Sequence, residues 1–290
     1  MLPIVSVAFT HGGMGHALLQ SMMNKLTLTK SLFAASVLAL CLPGYAMTNS
    51  TTRVYPSGIK VALQIGSDLY DSLDSKYRSR LEAPPICAVS VEAPQLSPLE
   101  TNDENKALGQ VSISVGFVDL INHIAHAKAI DHIQPGYFQK YMSDLGNVAA
   151  GDTTPEAPNI VDERYWTEDV MNEQSSYFNQ MMGMTMAINL SHCYLGEFSK
   201  YSGQMQPGKV VPINNFLTSD EWDSGVRAGV VNSLNCALGT DGAKALFDAI
   251  GKMPHRPAWT AYIVPQNIDI NRLNKRLAKY EVDFFHGKLN

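Results

Sequence analysis

MMGMTMAINLSHCYLGEF (Met181–Phe198) is the stretch whose reading decides the fold, because it lies inside a helical run from about Thr167 to Tyr201. Methionine and alanine at this density are core filling rather than a cofactor box. Working outward toward the C-terminus, Thr218-Ser219-Asp220-Glu221 reads as a capping box at the head of a helix over 218–235. A second helix is expected at Asp241–Ile250, and LNKRLAKYEVDFFHGKL (Leu273–Leu289) closes the chain as an amphipathic helix. Toward the N-terminus, QVSISVGFVDLI (Gln110–Ile121) starts as a strand with Val111, Ile113 and Val115 on one face. It passes through Gly116 into a helix that runs to about Ala129. A Pro135-Gly136 turn and a short helix YFQKYMSDL follow. Before them, ICAVSVEA (Ile86–Ala93) reads as a strand after the Pro84-Pro85 break, and 94–106 reads as a polar loop. Residues 53–66 mix β-formers with turn residues, whereas Asp68–Leu81 brings Leu69, Leu73, Tyr77 and Leu81 round on one helical face. Gly146–Asp162, rich in Gly, Pro, Thr and Ala, reads as a loop or lid. The pattern is α+β, mainly helical, with a small sheet near the beginning of the exported chain.

That the chain is exported follows from MNKLTLTKSLFAASVLALCLPGYA, which begins at Met23. Lys25 and Lys30 precede an apolar stretch, Ser31–Leu42, and Pro43, Gly44 and Ala46 follow it, in the order a signal peptidase reads. The apolar core is shorter than the ~20 residues of a spanning helix. No later segment is long and apolar enough to be one, so the product is expected without a transmembrane helix and in the periplasm or secreted. Residues 1–22, with HGGMGH at His11–His16, read as an over-long start. Cys41 after Leu38-Ala39-Leu40 raises a lipoprotein alternative, but bulky Leu40 occupies a place where a small residue is wanted. Cleavage after Ala46 leaves 47–290, 290 − 46 = 244 residues, read as a single domain. With 22 basic and 27 acidic residues the chain is mildly acidic, which argues against a nucleic-acid partner. Cys87, Cys193 and Cys236 remain after cleavage, and in an oxidising compartment two of them could pair. Nothing has CxxC spacing.

The order of parts resembles HtpX-type and CaaX-prenyl-protease-type zinc metallopeptidases over roughly residues 60–250. Two stretches carry the resemblance: ALGQVSISVGFVDLIN (Ala107–Asn122), like that family's sheet edge leading into a helix, and INLSHCYLGEF (Ile188–Phe198), like its metal helix. What the resemblance implies is a zincin-like domain that holds Zn²⁺ through H-E-x-x-H. There the two histidines share one helix face and the glutamate activates the bound water. In this chain the second histidine is His192, whereas the first falls on Ile188 and the glutamate on Asn189. Isoleucine cannot ligate a metal and an amide is not a general base, so the standard mechanism is not open to these positions.

An altered zinc centre would need other donors. Glu197 lies five residues after His192, about 140° round a continuous helix, so ligands from elsewhere are required. INHIAHAKAIDH supplies His123 and His126 on one face, with His132 just beyond. His126, His192 and Glu197 together have the three-ligand count of a catalytic zinc site, with His123 and Asp223 in reserve. Glu197 and Glu221 are the candidates for a catalytic carboxylate. The family takes a glutamate ligand from the helix that holds Glu221 and Asp223, although the capping box already accounts for Glu221. The run DERYWTEDVMNEQ (Asp162–Gln174) reads as a solvated helix start anchored by Tyr165 and Trp166, or as a cleft wall, and MPHRPAW (Met253–Trp259) as a rigid link. There is no G-x-S-x-G, P-loop or dinucleotide fingerprint.

Two functions are therefore expected from different classes. One is an exported metallopeptidase-like protein with a degenerate motif, acting through an altered metal centre. The other is a non-catalytic periplasmic binding or scaffold protein of the cell envelope, whose partner is a peptide or an envelope protein.

Overall fold

The computed structural model describes residues 55, 58–103, 106–147, 159–204 and 210–289, all within the compact unit Tyr45–Asn290. The signal-like segment, the HGGMGH stretch and most of the Gly/Pro-rich loop lie outside the described residues. The fold is α+β and mainly helical, with one three-stranded sheet.

Its elements run α1 (Gly58–Asp71), α2 (Ser75–Arg78), β1 (Leu81–Val89), β2 (Leu96–Asp103), β3 (Lys106–Ser114), α3 (Val115–Ile130) and α4 (Tyr137–Asn147). They continue α5 (Glu168–Leu195), α6 (Glu197–Tyr201), α7 (Ser219–Asn235), α8 (Asp241–Gly251) and α9 (Ile270–Phe285). The strand order is β1-β3-β2, with β1 parallel and β2 antiparallel to the central β3.

The sheet departs from the sequence reading in an instructive way. Pro84 and Pro85, expected to stand before a strand, lie inside β1, and the expected polar loop at 94–106 contains β2 with Pro98 in it. Proline cannot donate to a ladder and is tolerated on outer strands. Both proline-bearing strands are the outer ones, and β3 between them has none. The ladder is irregular between Leu81 and Ile86, where the Gln110 side-chain amide donates to the Pro84 carbonyl at 2.8 Å.

The junction from β3 to α3 forms as its sequence predicts. Ser114 caps α3 by accepting from the Phe117 N–H at 3.1 Å, while its hydroxyl donates to the Ala93 carbonyl at 2.8 Å. Gly116 has no room for a side chain, because a Cβ there would overlap the Glu92 carbonyl. One serine and one glycine thus fix the angle between sheet and helix.

Helix α1 begins at Gly58, ten residues before the expected start, and its buried residues Ala62, Ile65 and Leu69 share one face. The β-branched Ile59 and Val61 weigh less than that spacing, since packing overrides propensity. The expected face at 68–81 is split among α1, α2 and β1.

Every residue of α5 from Met181 to Tyr194 is buried. Around this axial helix pack α1, α3, α7, α8 and the sheet, and a helix enclosed on all sides needs apolar residues all round. The four methionines from 181 to 186 fill that enclosure, as read from the sequence. Helix α9 buries Ile270, Leu273 and Leu277 against α7 and α8, while Val282 and Phe285 on the same helix stay exposed. No helix among the described residues is long and apolar enough to cross a membrane.

Candidate functional site

Helix α5 ends where Gly196 takes a left-handed conformation at φ 94°, and Glu197 starts a new helix, α6. The 140° separation of a continuous helix therefore does not apply. The Glu197 carboxylate swings back to 3.4 Å from His192 Nδ1, a long contact for a hydrogen bond. His192 is fully buried, and its Nε2 has no partner among the described residues.

What covers His192 is the backbone of α7. A Cβ placed on Gly225 would stand 2.7 Å from His192 Nε2 and 2.9 Å from Nδ1, so the ring lies flush against that glycine. One turn further, a Cβ on Gly229 would stand 2.8 Å from Ile188 Cγ1 and 3.0 Å from its backbone nitrogen. The two glycines sit on the two positions that an H-E-x-x-H motif would give to histidines. The face that would open to a metal is instead a helix-to-helix contact, tied by Ser191 Oγ donating to the Gly225 carbonyl at 3.1 Å. Asn189, on the glutamate position, donates to the Thr185 carbonyl at 2.9 Å within α5. Burial pushes the Cys193 thiol up, away from the thiolate a metal needs. Cys193 and Cys236 are both thiols, so neither pairs with the other or with Cys87.

The other expected ligands are held elsewhere. Glu221 closes the capping box with Thr218 and also binds Lys200 and Tyr201 at 2.5 and 2.8 Å. Burial alone would raise its carboxyl, but the bonds from Lys200, Thr218 and Tyr201 outweigh that and hold it down at about 2. Asp223 pairs with Arg276 at 2.5 Å and accepts from the Tyr280 hydroxyl at 2.9 Å.

His126 is saturated. Its Nε2 lies 2.6 Å from the Tyr165 carbonyl, an acceptor only, so Nε2 carries the proton and Nδ1 accepts from the Tyr55 hydroxyl at 3.0 Å. Trp166 meets the ring edge-on with centroids 4.5 Å apart. Tyr165 and Trp166 therefore anchor the start of α5, as expected from DERYWTEDVMNEQ. His123, one turn earlier on α3, has Nδ1 buried without a partner among the described residues. Burial, with a smaller contribution from His126, pushes its imidazole down to about 4. His192 and Glu197 meet, but His126 is held apart from them with Tyr55 and Tyr165, and among the described residues no three His, Cys, Asp or Glu side chains form a metal-holding group. This donor set does not fit zinc.

One arrangement was only half visible in the sequence. His132 accepts the Tyr177 hydroxyl at Nε2 and meets Glu173 at Nδ1, each at 3.0 Å. The two partners are on opposite edges of the ring, so one ion could not take all three. Glu173 and Tyr177 stand four apart on α5, a spacing visible in the sequence, but their meeting with His132 depends on how α3 lies on α5.

A pocket of about 210 Å³ lies at the end of α5 beside the sheet, lined by Arg80, Glu100, Gly109, Cys193 and Phe198. There Arg80 donates to the Tyr194 carbonyl at 2.7 Å, satisfying one of the helix's terminal acceptors. Comparison with protein-family models, characterised proteins and solved structures finds no match to this chain.

Proposed function

We propose that this chain is an exported binding or scaffold protein of the cell envelope, metallopeptidase-like in the order of its parts, in which α5 carries the fold and not a metal. The observation that supports this reading is the seal of Gly225 over the His192 ring. A ligand needs a lone pair with space in front of it, and here the space is backbone. The partner class is a peptide or an envelope protein. The methionine-rich helix is not the contact surface, because it is buried within the domain, whereas α9 keeps Val282 and Phe285 exposed. The altered zinc centre is the competing reading.

Metal analysis of the purified full chain, together with sizing from envelope extracts, separates the two. The expected result is no stoichiometric zinc, with the chain eluting in a larger assembly. Zinc at about one per chain, lost in His192→Ala, overturns the proposal in favour of the enzyme. A monomer at every concentration removes the scaffold version.

A further inference from the structure

The cluster around Tyr55 joins three segments that are separate in the sequence. Tyr55 is buried at 8% exposure, and its ring packs against His123, His126 and Trp166 with centroids 5.3, 5.6 and 5.4 Å apart. Its hydroxyl bonds to His126, and His126 bonds in turn to the Tyr165 carbonyl. Trp166 closes the far side by donating from Nε1 to the Ile160 carbonyl at 2.9 Å. The result joins the Tyr55 ring, a wall on α3 and a connection at 159–166, held by one imidazole with a defined tautomer.

We propose that Tyr55, His126 and the Tyr165 carbonyl form an acid-sensitive clasp, which holds the Tyr55 side chain and the 159–166 connection onto α3 at neutral pH and releases them when the buried imidazoles take up protons. Neutral His126 uses one nitrogen as donor and the other as acceptor, which matches its two partners. Protonation makes both nitrogens donors, so the Tyr55 hydroxyl can no longer donate to the ring and has to turn to accept from it, and a cation is left desolvated among buried side chains.

The groups facing the clasp do not offset that charge. From α4 come Tyr137 and Tyr141, both phenols raised by burial and neutral throughout. From the connection come Tyr165 and the mutually paired Asp162 and Arg164. From α5 the neutral Gln174 amide donates to Asn122, one turn before His126 on α3, and the Glu173 carboxylate is turned to His132. On α3, Asp119 is exposed and its charge is felt at the Tyr55 phenol, but its carboxyl is raised by desolvation, so that charge weakens over the same fall in pH. His123, four residues from Asp119, adds a second imidazole that burial keeps neutral.

The sign follows from linkage. Released imidazoles titrate near ~6.5, above their values in the clasp, so the open form binds more protons and gains as pH falls from that value toward 4.

Hydrogen exchange of the full chain at pH 7.5 and 5.0, corrected for intrinsic rates, tests it. Peptides covering Tyr55, 119–130 and 160–166 are expected to open on the order of tenfold to a hundredfold more at pH 5.0, with α7 and α8 unchanged. The His123→Gln/His126→Gln double variant is expected to lose this response. Equal protection at both pH values, a response that persists in the double variant, or loosening of α7 and α8 in step each overturns the clasp. If the double variant does not fold, the ring-proton titrations of wild-type His123 and His126 decide. Midpoints below the ordinary histidine value support the clasp, and midpoints at or above it overturn it.

Discussion

His126 and His192 are both fully buried histidines, and they are buried in opposite ways. Around His126 the surroundings are polar and aromatic, and each ring nitrogen has a partner, one from Tyr55 and one from the Tyr165 carbonyl. Around His192 the enclosure is steric. Gly225 brings the α7 backbone onto the ring, Glu197 makes a long contact, and Nε2 is unpartnered among the described residues. The first histidine is held by what it bonds to and the second by what presses on it. Removing each imidazole should therefore have different consequences, although burial alone would rank them equal.

The largest effect should come from breaking the steric enclosure. Gly225→Ala forces a methyl into the His192 ring and is expected to cost about 3 kcal/mol, read as a lower urea midpoint with an unchanged slope. Adding His192→Ala should recover part of that loss through the shared contact, and strict additivity would show that the ring and the glycine are not coupled. Next comes the bonded enclosure. His126→Leu strands both the Tyr55 hydroxyl and the Tyr165 carbonyl, an expected loss of about 2 to 3 kcal/mol in the same assay.

Tyr55→Phe keeps the ring packing and removes only the hydroxyl. It should cost about 1 kcal/mol, with the change in hydrogen exchange confined to α3 and 159–166. His192→Leu should stay within about 1 kcal/mol of wild type, because it removes a buried polar atom that has little to bond to. A loss as large as that of His126→Leu would end the distinction between the two sites.

The smallest effect concerns the cap beside the steric enclosure. Glu221 sits at about 2 in the fold, below its free value. Its stabilisation is therefore present above the free carboxyl's range and lost as pH falls through it toward 2. Melting temperatures between pH 5 and 2 should fall less steeply in Glu221→Gln than in wild type.

Where the sequence could be read and where it could not follows the same division between local and long-range causes. The capping box at Thr218, the passage from strand to helix at Ser114–Gly116 and the core role of the methionine run were legible because each depends on neighbours within a turn or two. Strand β2 was not legible. Its Pro98 argues against a strand unless the strand is known to be an outer one, and strand order is a property of the assembled sheet. The early start of α1 was hidden for a similar reason, since burial against β1 outweighed the β-branched residues at its head.

The candidate ligands show the limit most sharply. Sequence alone established that Ile188 and Asn189 cannot do the work of a histidine and a glutamate, because side-chain chemistry does not depend on the fold. It also brought out His123, His126 and His192 as the imidazoles worth following, and placed Tyr165 and Trp166 as anchors. Only the tertiary structure decided what each imidazole meets. Gly225 is 33 residues from His192, and Tyr55 is 71 from His126. No periodicity reaches that far, because such contacts are set by the packing of whole helices against one another and not by any property of the local chain.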